Sequence, residues 1–377
     1  MYTQAQGSER LIRIHFSPGA YDRAASYADV STTYWPWPTL DVLRPQLDIP
    51  VINTGRQYNL PPEPYGIVFN DMEGLHALAD ERGQIMLTSG IEMPLVVYRG
   101  QTQEHLPCLP SLARLTRLEE QLLALCRCVA FEDAIGSHPF VQISEQARLF
   151  DAPLYIDKEG MAQHYGLSTN LLDATNNFDV ASFFATCHWD NNSRSYQPVK
   201  FAAQPGVLYR LTPAFFVGMH DSAEFRHVGW QPLYRPEQQR ACALRVKKGH
   251  DFAQLPTVQK VRFRQSAKVS YRIWKSFDEG RTLFPKDAAA ELADQAKRIM
   301  VFTRAQLDQA WIRLDDWHGI VTNTGQRQRV EKDAALEIAA IPILSWDGLD
   351  VIRDENQMRS QLQGILEKVR YRLAAYA

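Results

Sequence analysis

The chain has 377 residues, of which 45% are hydrophobic and 22% are charged, and this balance predicts a folded globular protein rather than a disordered one. The 41 basic and 43 acidic residues give a formal net charge of −2, which excludes a strong overall field for nucleic acid or an anionic membrane. The five cysteines include no CxxC pair, the chain starts with polar residues, and no apolar run reaches the ~18–20 residues that a membrane span needs. These features predict a soluble, cytoplasmic protein without disulfides or membrane contact.

Residues 1–90 differ in pattern from the rest of the chain, because proline interrupts regular structure at 34–40 and again at 60–66. Short strand-like runs lie at 10–16 and 64–69. The sequence therefore predicts a small β-rich or irregular N-terminal region.

Regular elements become clearer after residue 90. The β-branched run 93–100 predicts a strand that ends at a glycine. The helical spacing of apolar residues from Leu115 to Val129 predicts an amphipathic helix. A second helix is predicted over 177–187 and a long polar surface loop over 188–206.

The second half mixes strands and helices without a regular βαβ alternation. Thr303 and Gln306 have the spacing of a capping box at the start of a helix. The further predicted elements are strands at 206–211, 241–246, 268–273 and 335–344, a helix over 286–300 and a last helix from 355 to the end. This order predicts an α+β fold, with a central unit at 91–300 and an α/β extension at 301–377 packed on it.

Common catalytic and metal-binding signatures are missing from the sequence. It has no GxGxxG, P-loop, HExxH or GxSxG motif. Cys126 and Cys128 lie on one predicted helix but point about 200° apart, so they cannot share a metal ion. Burial as small apolar residues explains them better, and no metal site is predicted.

The first candidate ligand-binding residue is Arg99, in the run Tyr98-Arg99-Gly100-Gln101 at the end of a predicted strand. A guanidinium can grip a phosphate or carboxylate through two hydrogen bonds. Gly100 would let a ligand approach the backbone closely. A surface arginine at a strand end is the simpler alternative.

A dense polar segment precedes the predicted helix at 177–187. It contains Gln163, His164, Tyr165, Ser168, Thr169 and Asp173. An imidazole beside a phenol suits stacking on, and hydrogen bonding to, a planar amide ring. The hydroxyls and the carboxylate could equally cap or support neighbouring elements without any ligand.

A third polar cluster directly precedes the predicted strand at 241–246. It consists of Glu237, Gln238 and Gln239. If these residues continue the strand, Glu237 and Gln239 share a face, where a carboxylate and an amide could hold the hydroxyl pair of a ribose. A polar strand start without a ligand is the alternative.

Together the three clusters resemble the FRG domain, a family named for its Phe/Tyr-Arg-Gly motif. The resemblance covers roughly residues 90–300 and rests on YRGQ (98–101), QHYGLSTNLLDAT (163–175), RPEQQ (235–239) and TLFPKDAAAELADQAKRI (282–299). The chain departs from the usual pattern at four places. Ser168, Asn170, Ala174 and Arg240 stand where the family usually has Pro, Arg, Trp and Gly.

FRG domains resemble in turn the ADP-ribosyltransferase fold, in the class whose signature runs Arg, Ser-Thr-Ser, Glu-x-Glu. The resemblance implies a split β-sandwich with flanking helices that takes NAD as its substrate. Arg99 would match the arginine, Ser168-Thr169-Asn170 the hydroxyl motif and Glu237-Gln238-Gln239 the acidic motif. It implies Arg99, Glu237 and Gln239 as catalytic residues, and Tyr98, Arg99, Gln163, His164, Tyr165, Ser168, Thr169 and Asp173 as NAD-binding residues.

The same resemblance implies roles for these side chains. Arg99 would clamp the diphosphate or ribose of NAD, and Tyr165 would stack on nicotinamide. Ser168 and Thr169 would support the strand or hold the nicotinamide-side ribose. Gln239 stands at the catalytic position but carries no charge. Glu237 or Asp173 would therefore have to supply the carboxylate that stabilises the positively charged ribose in the transition state as nicotinamide leaves.

The sequence thus favours an enzyme that hydrolyses NAD or transfers ADP-ribose to an unknown macromolecular acceptor, either protein or nucleic acid. The resemblance also implies a bacterial toxin or phage-defence effector. A catalytically silent module that senses a nucleotide or docks a protein is the alternative. The regions 1–90 and 301–377 would set target choice or bind a partner protein. A weaker option is nucleic-acid processing by the basic run 259–275, although its alternation is more typical of a solvated strand.

Overall fold

The computed structural model describes residues 39–47, 75–79, 82–89, 96–149, 151–200, 204–213, 223–255, 257–352 and 354–370. The strand-like runs predicted at 10–16 and 64–69 lie outside these residues, so the predicted character of the N-terminal region stays a prediction. The described part of that region contains helix α1 (Leu40–Leu47) and strands β1 (Leu75–Ala79) and β2 (Ile85–Ser89).

A six-stranded sheet forms the centre of the protein, and each of its ladders is antiparallel. Its strands, in spatial order, are β10 (Ala223–His227), β11 (Ala241–Val246), β6 (Leu171–Thr175), β3 (Val97–Gln101), β9 (Gly206–Leu211) and β12 (Val258–Phe263). β9 is buried along its whole length. The strands predicted at 93–100, 206–211 and 241–246 are confirmed.

Both faces of this sheet are covered. Helix α5 (Phe178–Thr186) lies on one face and buries Ala181 in the cluster beneath it; the Asn177 side chain caps its N-terminus. This confirms the helix predicted over 177–187. The other face carries a second apolar cluster that includes Leu172 and Phe252.

A helical layer packs beside the sheet around a large apolar core. Its helices are α2 (Leu118–Gly136), α4 (Lys158–His164), α8 (Ala288–Ala296), α9 (Arg304–His318) and α10 (Thr324–Asp333). Trp311 of α9 is fully buried there. Thr303 and Gln306 form the predicted capping box. Cys126 and Cys128 are buried on α2, and burial raises the pKa of Cys126 to about 12, so these thiols act as small apolar residues.

The remaining elements are short. They are the strand pairs β4 (Arg148–Leu149) with β5 (Ala152–Pro153), β7 (Cys187–Asp190) with β8 (Ser195–Pro198) and β13 (Val301–Thr303) with β14 (Glu337–Ala339), and helices α3 (Pro139–Gln146), α6 (Tyr234–Gln238), α7 (Ala267–Ser276) and α11 (Glu355–Leu366). Strand β15 (Val369–Arg370) pairs in parallel with β1, so the C-terminal residues complete a sheet with β1 and β2.

The strand predicted at 268–273 is wrong, because this segment is helix α7. Val269 and Ile273 pack in the cluster under α5, whereas Tyr271, which a strand would place on the same face, is 53% exposed. Ser266 supplies the N-cap of this helix. The alternating basic and apolar residues of this run therefore lie on a helix and not on a strand.

The loop predicted over 188–206 contains most of the β7–β8 hairpin. The Asp190 carboxylate closes its turn by accepting hydrogen bonds from the backbone N–H groups of Asn192 and Ser193. The strand predicted at 335–344 is limited to β14, and the last helix ends at Leu366 before β15. With an antiparallel central sheet and a separate helical layer beside it, the fold is α+β as predicted.

Candidate functional site

The central sheet opens between β3 and β6. Their ladder contains one residue pair, Tyr98 with Thr175, whereas β3 pairs with β9 at all five of its residues. Past that pair the Arg99 side chain bridges the gap, because its Nη1 donates a hydrogen bond of 2.6 Å to the Asp173 carbonyl oxygen. The Arg99 Nε is buried and has no hydrogen-bond partner among the described residues. We call this gap the split.

Gly100 is needed for helix packing rather than for ligand access. A Cβ at this position would lie 1.9 Å from the Ala181 carbonyl oxygen and 2.7 Å from the Ala185 nitrogen, both on α5. Only glycine lets the helix lie this close to the strand. The prediction that Gly100 lets a ligand approach is therefore wrong, since α5 occupies that space.

His164 ends α4 and faces Gln239 just before β11. The distance from its Nδ1 to Gln239 Oε1 is 2.8 Å. Gln239 Nε2 in turn donates a hydrogen bond of 3.0 Å to the Leu283 carbonyl oxygen. Both ends of this buried amide are therefore used inside the protein, and Gln239 holds His164 rather than facing a ligand.

Asp173 brings a carboxylate to the split. Its side chain is 46% exposed, yet its Oδ1 is buried and lies 4.0 Å from Nε2 of the His164 side chain, which is only 2% exposed. Neither atom has a hydrogen-bond partner among the described residues. Arg99, Asp173, His164 and Gln239 thus form one connected group, which we call the split cluster, and it draws on all three segments that the sequence analysis selected.

Thr169 supports the start of β6. Its Oγ1 accepts a hydrogen bond of 3.1 Å from the Leu171 N–H and donates one to Gln163 Oε1. Ser168 is half-buried beside it. In the structure, then, Gln163 and Thr169 bond to each other and stabilise the turn that leads into the strand.

The two tyrosines predicted to bind NAD are core residues. Tyr98 is 3% exposed and packs edge-on against Phe178, with ring centroids 5.5 Å apart. Tyr165 is fully buried; its hydroxyl donates a 2.6 Å hydrogen bond to Asp287, and Arg235 lies 4.6 Å over its ring. Burial and the Asp287 charge raise the pKa of Tyr165 well above its usual value. The prediction that Tyr165 stacks on nicotinamide is wrong for this arrangement, because its ring faces are covered.

Glu237 does not lie on a strand. It belongs to α6, and Arg240, with a φ of 48°, makes the turn from this helix into β11. Burial raises the pKa of Glu237, against the opposing effect of the Arg240 and Lys368 charges. The prediction that Glu237 and Gln239 share a strand face is therefore wrong, and the charges acting on Glu237 are not those of the split cluster.

Arg114 is a neighbour of the split that the sequence analysis missed. Its Nε donates a hydrogen bond of 3.0 Å to the Leu109 carbonyl oxygen, and its turn is tied to Thr169 by the Leu112 N–H. Desolvation first, and then the charge of Arg99, lower the pKa of Arg114, whereas Asp173 acts in the opposite direction. No local sequence pattern marks it, since it ends a three-residue 3-10 helix, Leu112–Arg114.

Arg235 is a second such residue. Its guanidinium lies 4.6 Å over the Tyr165 ring and 5.6 Å over the Phe284 ring, and its Nε is buried without a hydrogen-bond partner in the described ranges. Because this stacking joins segments about 50 to 70 residues apart in sequence, only the fold reveals it.

These features define a mixed α/β protein with a polar cluster at an opening of its central sheet. Residues 95–194 match the family model described as the FRG domain. The match includes Arg99, His164 and Asp173 and ends before Gln239. Neither the comparison with curated proteins nor the comparison with solved structures gives a match.

Neither a membrane-spanning helix nor a cluster of metal-ligating side chains occurs among the described residues. There, no helix combines the length and apolarity that crossing a membrane requires. The His, Cys, Asp and Glu side chains of the same residues form no group of three that could hold a metal ion.

Proposed function

We propose that this protein binds NAD at the split and breaks the bond between nicotinamide and ribose, hydrolysing NAD or transferring ADP-ribose to a macromolecular acceptor. The observation that carries the proposal is the split cluster: where two strands separate, the Arg99 guanidinium bonds to the Asp173 carbonyl oxygen, and the partly exposed Asp173 carboxylate faces the buried His164 imidazole. A buried polar atom of each lacks a hydrogen-bond partner among the described residues. Such atoms are costly, and a polar ligand is one means of satisfying them.

The charges around the split suit the parts of NAD. Arg99 and Arg114 offer donors for its diphosphate, because a guanidinium binds phosphate oxygens through paired hydrogen bonds. Asp173 offers a carboxylate to a ribose hydroxyl and to the positive charge that develops on the ribose as nicotinamide leaves. A well-placed group of this kind is typically worth ~3–4 kcal/mol of transition-state stabilisation.

The proposed fold is an ADP-ribosyltransferase-like split β-sandwich. Its support is the FRG match, the resemblance of that family to the transferase fold, and the opening of an antiparallel sheet beside a packed helix. By the same resemblance we propose a bacterial toxin or phage-defence effector that acts in the cytoplasm on a protein or nucleic acid. The N- and C-terminal regions would contribute partner contacts.

A second candidate is a catalytically silent module that binds a nucleotide or a protein in the same place. One observation favours it: Gln239, at the position of the catalytic acid, has no charge and uses both ends of its amide within the protein. On this proposal the cluster senses a ligand without breaking it.

The experiment that tests the first candidate measures nicotinamide released from NAD by purified protein, alone and with cell lysate as a source of acceptor. We expect Arg99→Ala to reduce release by about 10²-fold or more, because it removes the cation that contacts the split. Arg194→Ala is the matched control, since that arginine is 72% exposed on the β7–β8 turn and should leave the rate unchanged.

Calorimetric titration of NAD separates the candidates. Binding that Arg99→Ala abolishes, with no release even in lysate, would support the silent module and contradict the enzyme. If wild-type protein neither binds nor cleaves NAD, the first candidate fails, and so does a silent module whose ligand is NAD.

A further inference from the structure

A hydrogen-bond chain leads from the protein core to Asp173. The Leu283 carbonyl oxygen can only accept, so the Gln239 atom that faces it at 3.0 Å is the amide nitrogen. Gln239 Oε1 therefore faces His164 and accepts a hydrogen bond from Nδ1 at 2.8 Å. It follows that Nδ1 of His164 carries a hydrogen, and that Nε2 is the nitrogen directed at the carboxylate.

The contact between His164 Nε2 and Asp173 Oδ1 is favourable only if Nε2 carries a hydrogen. The two atoms are 4.0 Å apart, both are buried, and neither has a hydrogen-bond partner in the part of the chain described. If Nε2 presented only its lone pair, one acceptor would face another in a place shielded from water, which is unfavourable. A hydrogen on Nε2 removes that repulsion, because the imidazolium and the carboxylate then attract each other as an ion pair across 4.0 Å.

We propose that Asp173 is the catalytic carboxylate of this protein, that His164 is the positioning residue that holds it, and that Gln239 orients His164 by accepting the hydrogen bond from Nδ1. This inference rests on the proposed NAD cleavage. Asp173 suits the role because Arg99 binds its carbonyl oxygen and His164 faces Oδ1, while 46% of the side chain is exposed at the split. Glu237 and Gln239 do not suit it, since one lies on α6 and the other is a fully bonded amide.

The reaction step follows from this geometry. The C1′–N bond of NAD breaks, and its electron pair leaves with nicotinamide, which departs as a neutral molecule. The electron-poor ribose carbon is stabilised by the negative charge of Asp173, which His164 keeps in place. Water or an acceptor hydroxyl then attacks C1′, and its proton passes through Asp173 to solvent.

Asp173→Asn tests the catalytic role by steady-state nicotinamide release. We expect kcat to fall by about 10²-fold with KM within about twofold of wild type, because the amide keeps the shape and loses the charge. Asp294→Asn is the control, since its side chain is also 46% exposed but pairs at the surface with Arg194 and Lys297, and its rate should match wild type. Cleavage at the wild-type rate by Asp173→Asn would overturn the inference while the proposed function stood.

Two substitutions of His164 separate positioning from mere packing. Glutamine places an amide nitrogen near the position of Nε2 and can still donate to Asp173, whereas asparagine places one near Nδ1 and cannot. We expect His164→Gln to keep kcat within about tenfold and His164→Asn to lose about 10²-fold. Equal losses in the two variants would contradict a positioning role.

The hydrogen on Nδ1 of His164 can be detected without NAD. In protein with ¹⁵N-labelled histidine, ring-nitrogen spectra should show a hydrogen on Nδ1 of His164, with the signal assigned by its loss in His164→Asn. Gln239→Leu should weaken the signal of that Nδ1 hydrogen, because the variant lacks the oxygen that accepts it. A bare Nδ1 in the wild-type protein would overturn the hydrogen-bond chain, whether or not the protein cleaves NAD.

Discussion

Arg240 has a φ of 48°, in the left-handed region that glycine adopts without strain. It stands in the turn between α6 and β11, where the resemblance to FRG domains indicates a usual glycine. The conformation gives that preference a physical reason, since a Cβ in this region contacts the neighbouring carbonyl. This chain therefore carries a strained residue directly after Gln239, the residue that orients His164.

Replacing Arg240 by glycine should relieve this strain. We expect Arg240→Gly to raise the free energy of unfolding by about 1 kcal/mol, measured by urea denaturation. Arg240→Ala is the control, because it removes the guanidinium and keeps the Cβ, and it should give no gain. A glycine variant no more stable than wild type would contradict strain at this turn.

The sequence located all four members of the split cluster, but not the buried contacts that decide the role of Gln239. Arg99 stands out by its motif, and His164 and Asp173 by the density of polar residues around them. What local pattern cannot show is burial by distant segments: Asp287 fixes the Tyr165 hydroxyl and Leu283 fixes the Gln239 amide. Both contacts join residues that are more than 40 positions apart, so those two roles were predicted wrongly.

Among the elements, α2 and the Thr303 cap were predictable because helical spacing and a capping box are local signals. Helix α7 was not, because the run 268–273 also alternates like a strand and only packing under α5 decides between the two. The short helix α6 was missed for a similar reason, since it has five residues and no apolar period. That one element moves Glu237 out of the predicted site.

The contact between β3 and α5 depends on a single glycine. We expect Gly100→Ala to destabilise the protein by about 3 kcal/mol or more, because its Cβ would meet backbone atoms that cannot move aside. The measurement is chemical denaturation, and failure to recover folded protein is the same outcome in its extreme form. Gly364→Ala on α11 is the matched control, because that Cβ has no other atom within 4 Å and should be neutral or stabilising. A Gly100→Ala protein of wild-type stability would rule out this packing.

At the scale of the whole molecule, the split cluster exists only when distant segments assemble. β3 brings Arg99, the turn between α4 and β6 brings His164 and Asp173 together, and the chain before β11 brings Gln239. Residues beyond 300 belong to the same structure, since Trp311 lies in the main apolar core and β15 pairs with β1.

Two surface cavities are lined by residues outside the split cluster. One of about 300 Å³ is lined by residues that include Lys247 and Trp317, and one of about 480 Å³ lies between α1, α5 and α7. They are the natural alternative places for a ligand.

The most direct measurement is therefore a crystal structure of the protein with a non-hydrolysable carbocyclic analogue of NAD. The account predicts the diphosphate beside Arg99 and the nicotinamide-side ring hydroxyls beside the Asp173 carboxylate, with His164 still bonded to Gln239. An analogue bound in either surface cavity, with the split unchanged, would contradict it.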